Sequence, residues 1–307
     1  SASGGTKNYQ FRRDDQSWQT DSVFRFLDAK NYTFLINDSK GCTKNVNVNV
    51  TQPDSLKLFV KDSKDVLCYG GNTGYVTLEA TGGTLPYTYS NGGYDWTSNT
   101  TFNELYQGKY VFKVKDKNEC DQTLKKDILE PSLLTASASK VDVSCNGGTN
   151  GSITVTAKGG TPPYYFSKDN GENFVEASSP YTFVGLASAG YQIVVKDKNN
   201  CITNAIYEYV SQPTSLDASA SSSNVTCFGY NNGKITFSAS GGTPPYSYSI
   251  DNGNSFSDSN QFTELIPATY QLVVKDKNEC MVYLAPITIT QPSASLSATY
   301  SHRDIFC

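Results

Sequence analysis

Cysteine is the residue type in this 307-residue chain with the most chemistry to offer, and its eight copies are regularly placed. One kind is followed by a loop rich in Gly and Asn or aromatic residues: Cys68-Tyr69-Gly70-Gly71, Cys145-Asn146-Gly147-Gly148 and Cys227-Phe228-Gly229-Tyr230, with Cys307 as a fourth. The other closes an Asp-x-x-x-Cys turn: Asp38 to Cys42, Asp116 to Cys120, Asp197 to Cys201 and Asp276 to Cys280. Cysteines at two fixed places in each small unit read as a disulfide framework and so as an oxidising, extracellular compartment. They lie too far apart for a zinc site, whose ligands come two to four residues apart in pairs. The recurring aspartates raise calcium, which takes about six to eight oxygens. Asp197 with Asn199 supplies only a few, so these carboxylates read as turn-stabilising groups. His302 is the single histidine, which excludes a Ser-His-Asp or Cys-His site repeated in each unit. Neither catalysis nor a cofactor is expected.

The elements that position these groups recur as well. Gly159-Gly160-Thr161-Pro162-Pro163-Tyr164-Tyr165-Phe166 has counterparts beginning at Gly4, Gly82 and Gly241, so the first glycines are 78, 77 and 82 residues apart. A fixed period of this size marks a tandem array. The glycine pair can end a strand with φ > 0, and proline starts the next strand without a ladder donor. The aromatics two residues apart share one strand face. Gln52-Pro53, Glu130-Pro131, Gln212-Pro213 and Gln291-Pro292 close the units. The resulting division is 1–53, 54–131, 132–213, 214–292 and 293–307. The first unit lacks its first strands, and the last is only a first strand and first cysteine. Both cuts read as a window onto a longer filament-like chain.

Within 132–213 the pattern predicts strands over 134–144, 152–158, 164–168, 172–177, 181–184, 190–196 and 202–210. Seven short strands with turn signals between them predict an immunoglobulin-like β-sandwich, so the fold class is all-β: a tandem array of such repeats of about 80 residues each. Gly190-Tyr191 stands where that fold often places a corner tyrosine; a plain core aromatic is the equal alternative.

Net charge is −4, from 25 basic and 29 acidic residues. That balance gives no reason to expect nucleic acid or an anionic membrane as partner. No apolar run reaches the ~18 residues of a spanning helix, so no membrane insertion is expected. The 21 Tyr and 15 Phe are assigned mainly to cores, because most fall at alternating strand positions. Trp18 and Trp96 are read as non-equivalent in their units, hence as no repeated platform. Asn31, Asn37, Asn49, Asn99, Asn150 and Asn224 head Asn-x-Ser/Thr acceptor sequences.

Two cysteine pairings are open. Pairing within units would join Cys68 to Cys120, Cys145 to Cys201 and Cys227 to Cys280. Yet five predicted strands separate Cys145 from Cys201, an odd number, which sends them to opposite ends of the sandwich, whereas a disulfide needs Cα atoms within ~7 Å. The strand count therefore favours junction pairs, Cys68 with Cys201 and Cys145 with Cys280. Cys42, Cys120, Cys227 and Cys307 would then pair outside this window.

The order Cys-x-Gly-Gly, Gly-Ser-Ile-Thr-Val, Gly-Gly-Thr-Pro-Pro-Tyr, Gly-Tyr and Asp-x-x-x-Cys, best seen from Cys145 to Cys201, resembles the SprB-repeat family. The resemblance extends over nearly all of the chain. The first unit departs most, with Lys7-Asn8 in place of the prolines. Asp21-Ser22-Val23 and Asp54-Ser55-Leu56 also resemble the O-glycosylation signal of Bacteroidetes. Family resemblance implies a non-catalytic segment of an extracellular, cell-surface adhesin or filament, of the kind exported by the type 9 route in gliding bacteria. Its partners would be neighbouring repeats, and beyond them surface glycans or other copies in a fibre. The alternatives are a sheath or appendage subunit, or accessory binding modules on a secreted hydrolase.

Overall fold

Alternation of apolar and polar residues builds every sheet of this protein. The computed structural model describes residues 1–303, and Cys307, with the residues just before it, lies outside them. The described chain divides into two compact units, one of residues 1–130 and one from Pro131 onward.

The first unit begins with a single three-stranded antiparallel sheet of β1 (Gln10–Arg13), β2 (Asn31–Asn37) and β3 (Thr43–Asn49). A full sandwich follows. Its sheets are β4 (Lys57–Lys64), β5 (Gly74–Thr81) and β7 (Thr101–Leu105) on one side, and β6 (Thr88–Asn91), β8 (Gly108–Lys115) and β9 (Asp121–Ile128) on the other.

The second unit contains two more sandwiches. In the first, β10 (Thr135–Val141), β11 (Gly151–Lys158) and β14 (Tyr181–Leu186) form one sheet. The other sheet runs in the order β13 (Val175–Ala177), β12 (Tyr164–Ser167), β15 (Ala189–Asp197), β16 (Ile206–Val210). This split, with the first, second and fifth strands against the rest, is the immunoglobulin-like arrangement. The last sandwich repeats it. Its sheets are β17 (Asp217–Ser223), β18 (Gly233–Ser240) and β20 (Gln261–Leu265) against β19 (Ser247–Ser249), β22 (Val273–Lys275) and β23 (Met281–Tyr283). Its long edge hairpin continues as β21 (Ala268–Tyr270) with β24 (Ile287–Ile289).

The cores follow from the two-residue period. Along β11, Ile153, Val155 and Ala157 point inward against Phe166, Ile193, Val195 and Val210, while Thr154 and Thr156 face out. Each large side chain removed from water in this way contributes about 1.5–3 kcal/mol. Equivalent cores form around Phe112 and Leu78, and around Phe237 and Ile235. The lone sheet of the first unit shows what the second layer does. Val46 and Val48 on β3 are 43% and 40% exposed, because among the described residues no second sheet covers them. Phe24 and Leu27, from the segment between β1 and β2, line this face beside Val46 and Val48, the Phe24 ring 4.7 Å from that of Phe34.

The strands predicted within 132–213 all form, with shifted ends. The last starts at Ile206 rather than at residue 202. The Thr203 hydroxyl accepts the Val195 N–H at 3.1 Å, and the Thr203 N–H bonds Val195 O, so a side chain replaces one rung of the ladder. The tyrosine at the start of the long strand is a corner tyrosine. Tyr191 donates to Ala187 O, as Tyr110 does to Tyr106 O and Tyr270 to Ile266 O, at 3.0–3.1 Å.

Candidate functional site

The four recurring sequence signatures meet two by two, at opposite poles of each sandwich. At one pole the Gly-Gly-Thr turn meets the Asp-x-x-x-Cys turn through the aspartate. Asp276 is 2% exposed. Its Oδ2 accepts the Thr243 N–H at 2.8 Å, and its Oδ1 accepts the N–H groups of Asn278 at 2.8 Å and Cys280 at 3.0 Å. Asp38, Asp116 and Asp197 repeat the arrangement with Thr6, Thr84 and Thr161. A carboxylate that accepts several N–H groups is favoured in its charged form. The Thr6 N–H, with those of Cys42 and Lys40, holds the Asp38 carboxyl below its ordinary value against burial. Burial pushes the Asp116 carboxyl up, but the N–H groups of Thr84, Cys120 and Asn118 together hold it below its ordinary value.

The glycines are required by the same contact. Gly241 has φ +69°, and a Cβ there would collide with the Ser215 carbonyl; a Cβ on Gly242 would stand 2.7 Å from Asp276 Oδ2. Tyr246 then ties the turn down by donating to Gly241 O at 2.7 Å, as Tyr164 does to Gly159 O at 2.8 Å. The aspartate therefore fixes where the cysteine four residues on must stand.

At the other pole the loop after the first cysteine grips the closing Gln-Pro. The Gly147 N–H donates to Gln212 Oε1 at 2.7 Å, and Asn146 Nδ2 to Pro213 O at 3.0 Å. Gly70 and Gly229 make the same bond to Glu130 and Gln291. Within the second unit the two poles come together. A disulfide joins Cys145 to Cys280, with Cα atoms 5.7 Å apart. Beside it Asn278 Nδ2 donates to Ser144 O at 2.9 Å and to Thr243 Oγ1 at 3.1 Å. One asparagine thus bonds its own turn and the preceding repeat at once. Sequence reasoning passed over Asn278 and used Gln212 only as a unit boundary, although both recur beside the cysteines and prolines at fixed offsets.

Five strands, β11 to β15, lie between Cys145 and Cys201, so these two stand at opposite poles of one sandwich. Cys68 and Cys201 are each disulfide-bonded. Cys42, Cys120 and Cys227 are free and exposed, and Cys307 lies outside the described residues. Among the acceptor asparagines, Asn31, Asn49 and Asn99 are exposed, and Asn37 is half-buried. The amides of Asn150 and Asn224 are engaged: Asn150 bonds the Ser144 N–H and hydroxyl, and Asn224 accepts the Thr290 N–H. His302 is exposed on the last described turn of chain.

One expectation is overturned. Trp18 and Trp96 are equivalent: each precedes the residue that bridges to the strand aromatic, Gln19 to Phe11 and Thr97 to Tyr89. Phe174 and Phe256 stand there in the later repeats, one residue further from the glycine pair than Trp18 and Trp96, which share one offset. In each case a cation covers the ring. Lys115 lies 4.9 Å over Trp96, Lys196 and Lys275 lie 4.5 Å over Phe174 and Phe256, and Arg12 lies 4.8 Å over Trp18. The rings are half-buried, so the pairs clamp a loop onto the sheet. The assignment of aromatics to cores also needs narrowing, since Tyr94, Tyr207, Tyr230 and Tyr283 are 60–90% exposed.

A family model described as "SprB repeat" matches residues 60–93, 137–173 and 219–255. Each match runs from the first strand of a sandwich past its Gly-Gly-Thr turn. No curated protein matches the chain significantly. Among solved structures, domains 1–6 of the surface layer protein SbsC are 14% identical, with a TM-score of 0.26, over 94% of this chain and 50% of that one. The BSP domain of a biofilm associated protein is 11% identical, TM-score 0.29, over 86% of this chain and 75% of that one. A Dscam structure is 13% identical, TM-score 0.24, over 95% and 89%. This chain spans about half the length of the surface-layer structure.

Proposed function

We propose that this chain, a member of the SprB-repeat family, is a non-catalytic segment of an extracellular adhesin or surface filament that transmits tension from repeat to repeat. The observation that carries this reading is the Cys145–Cys280 bridge between consecutive sandwiches. A covalent link across a repeat junction lets a pull bypass the folded repeats. That suits a tether, and an enzyme has no need of it. Both cysteine positions recur in each of the three complete repeats, and each bonded cysteine is aimed by a buried aspartate or a braced loop. By repeat equivalence, Cys68 is the counterpart of Cys145 and Cys201 that of Cys280, so Cys68–Cys201 is the corresponding proposed pair. Disulfides of this kind belong to an oxidising compartment.

The test uses intact cells that make the full protein. Antibody raised against this chain is expected to label them without permeabilisation, and brief external protease is expected to remove the label. Labelling only after permeabilisation would overturn the reading. Export by the type 9 route and a part in gliding belong to the same proposal; secretion-defective cells retaining the protein internally would support the first.

A further inference from the structure

We propose that the outer face of the four-stranded sheet in the third repeat binds a neutral polysaccharide, built of pyranose units with equatorial hydroxyls, by stacking it on Tyr207 and Tyr209.

A strand with one face on a core turns apolar side chains inward and polar ones to water. Strand β16 departs from this. Glu208 shares the inner face with Ile206 and Val210, while Tyr207 and Tyr209 stand on the solvent side, 66% and 51% exposed. The hairpin itself does not need these rings. Tyr207 is opposite Gln192 and Tyr209 opposite Gly190. At the matching places of the second repeat, Lys125 is opposite Val111 and Asp127 opposite Lys109. In the fourth repeat Thr288 is opposite Thr269, with their hydroxyls 2.9 Å apart. The same ladder closes there on charges or hydroxyls, so the tyrosine pair answers to something other than folding.

Gly190 sets the ring. A Cβ at that position would stand 2.5 Å from Tyr207 Oη and 2.9 Å from its Cε2. Tyr207 therefore leans across the sheet onto the glycine and leaves its other side open. Tyrosine gives rigid contact area at little entropic cost, having only two side-chain torsions. Beside it, Gln192 is exposed, and its amide makes no hydrogen bond among the described residues, so it can donate to and accept from sugar hydroxyls. The nearby cations are engaged. Lys140 Nζ bonds Asp142 at 2.8 Å and Tyr209 O at 2.6 Å, and Lys196 covers the rings of Tyr165 and Phe174. What remains is an uncharged platform with an amide at its side.

Its dimensions suit a linear chain and not a protein. The loop of residues 169–174 folds over the middle of the same face. The Asn170 N–H bonds Gln192 O and the Gly171 N–H bonds Ser167 Oγ, both at 2.9 Å, and Val194 and Ser167 end 3% and 0% exposed. The open strip is one strand wide. At about 150–250 Å² for a whole aromatic side chain, exposures of 66% and 51% offer about 180–290 Å², against ~800 Å² per partner in a standard protein interface. Two residues along a strand are ~6.6–6.8 Å apart, which is about one sugar unit. A pyranose with equatorial hydroxyls presents its axial C–H bonds to an aromatic ring, and an axial hydroxyl would interrupt that face.

The inference deepens the adhesin reading by naming a receptor chemistry and rests on it. Binding in solution and display on cells are measured separately, so either can fail while the other stands.

The experiment titrates the full chain, carrying 13C-labelled tyrosine, with cellohexaose and with xylohexaose, and follows the ring signals by NMR. Saturable shifts at Tyr207 and Tyr209 are expected with at least one of them, the two signals being assigned by their loss in Tyr207→Ala and Tyr209→Ala. Each alanine variant should bind about tenfold more weakly, the upper scale of one aromatic contact. Gly190→Ala keeps both rings but lifts Tyr207, and should weaken binding severalfold. The pair Tyr207→Lys with Tyr209→Asp copies the second repeat and so should fold, with Cys145–Cys280 intact in a peptide digest, yet show no binding. Absence of shifts with both sugars, or shifts unchanged by Gly190→Ala, would overturn the inference. Tyr207 and Tyr209 signals that move with protein concentration alone would overturn it in favour of a contact between copies of the chain.

Discussion

Replacing Asp276 by alanine tests whether the buried carboxylate, and not the disulfide, is what organises the pole. The side chain is 2% exposed and accepts three backbone N–H groups at 2.8–3.0 Å. Alanine leaves all three without their partner. A buried donor deprived of its acceptor costs about 1–3 kcal/mol, more when the acceptor was charged. The three donors lie at the end of the sandwich, where water can reach some of them once the carboxylate is gone. A total of about 3 kcal/mol follows, at the lower end of that range. For a domain of this size ~1 kcal/mol shifts the melting temperature by about 4–8 °C. The fourth repeat should therefore melt about 12–24 °C lower in calorimetry, while the other repeats hold their transitions.

A control separates this from a general charge effect. Glu279 forms an exposed ion pair with Lys275 at 2.9 Å. Such a pair contributes less than about 1 kcal/mol, so Glu279→Gln should move the transition by only a few degrees. The same alanine variant has a second readout. The Asp276 carboxylate holds the Cys280 N–H, so its loss frees the turn that aims the sulfur, and the Cys145–Cys280 bond should be cut by a lower concentration of dithiothreitol than in the parent, after which both thiols react with iodoacetamide. A fourth-repeat transition within about 2 °C of the parent, with the Cys145–Cys280 bond as resistant to dithiothreitol as in the parent, would refute the reasoning.

Gly241→Ala should cost the fourth repeat at least ~2 kcal/mol, since the new Cβ meets the Ser215 carbonyl at a positive φ; a denaturant midpoint equal to that of the parent would count against the turn geometry. The loop carboxyls should titrate low. The Ser167 hydroxyl, then Asn173, hold Asp169 at about 2, and Ser255, then Ser249, hold Asp251 at about 2, both below the ordinary 3.8. Because the folded values are depressed, their contribution is complete above about pH 4 and is lost as pH falls towards 2. Carboxyl NMR inflections near 3.8 for both would contradict this. In single-molecule pulling, the chain between Cys145 and Cys280, a sequence separation of 135, should stay hidden. Reduction should release about 450–490 Å of further extension at ~3.3–3.6 Å per residue, and equal traces before and after reduction would exclude the bypass.

The sequence carried the sandwiches because each strand obeys a two-residue period between turns whose chemistry is local. Gly241-Gly242, the Asx turn at Asp276 and the tyrosine at the start of each long strand are all recognisable from nearest neighbours along the chain. The strand ends were less visible, because they depend on single side chains that replace backbone partners, as Thr203 does for Val195.

The junction was legible only in part, for a different reason. Cysteine positions and strand parity are one-dimensional quantities, and they specify which poles face each other. What makes the poles complementary is an amide with two hydrogens, one for its own turn and one for the neighbour, and that division of labour at Asn278 appears only when Thr243 and Ser144 stand within 2.9–3.1 Å of the same nitrogen. Trp18 and Trp96 each stand the same number of residues after the first glycine of their turns, so that match was open to counting, and what counting hides is that Phe174 and Phe256 share the position. A one-residue longer loop in the later repeats changes the count along the chain but not the position on the sheet, because the bridges at Phe11, Tyr89 and Tyr248 reset the register. In a repeat protein, then, equivalence is fixed by what a residue pairs with. A repeated cation over a ring, or a repeated amide over a carbonyl, is found by aligning partners and not by counting from the nearest motif.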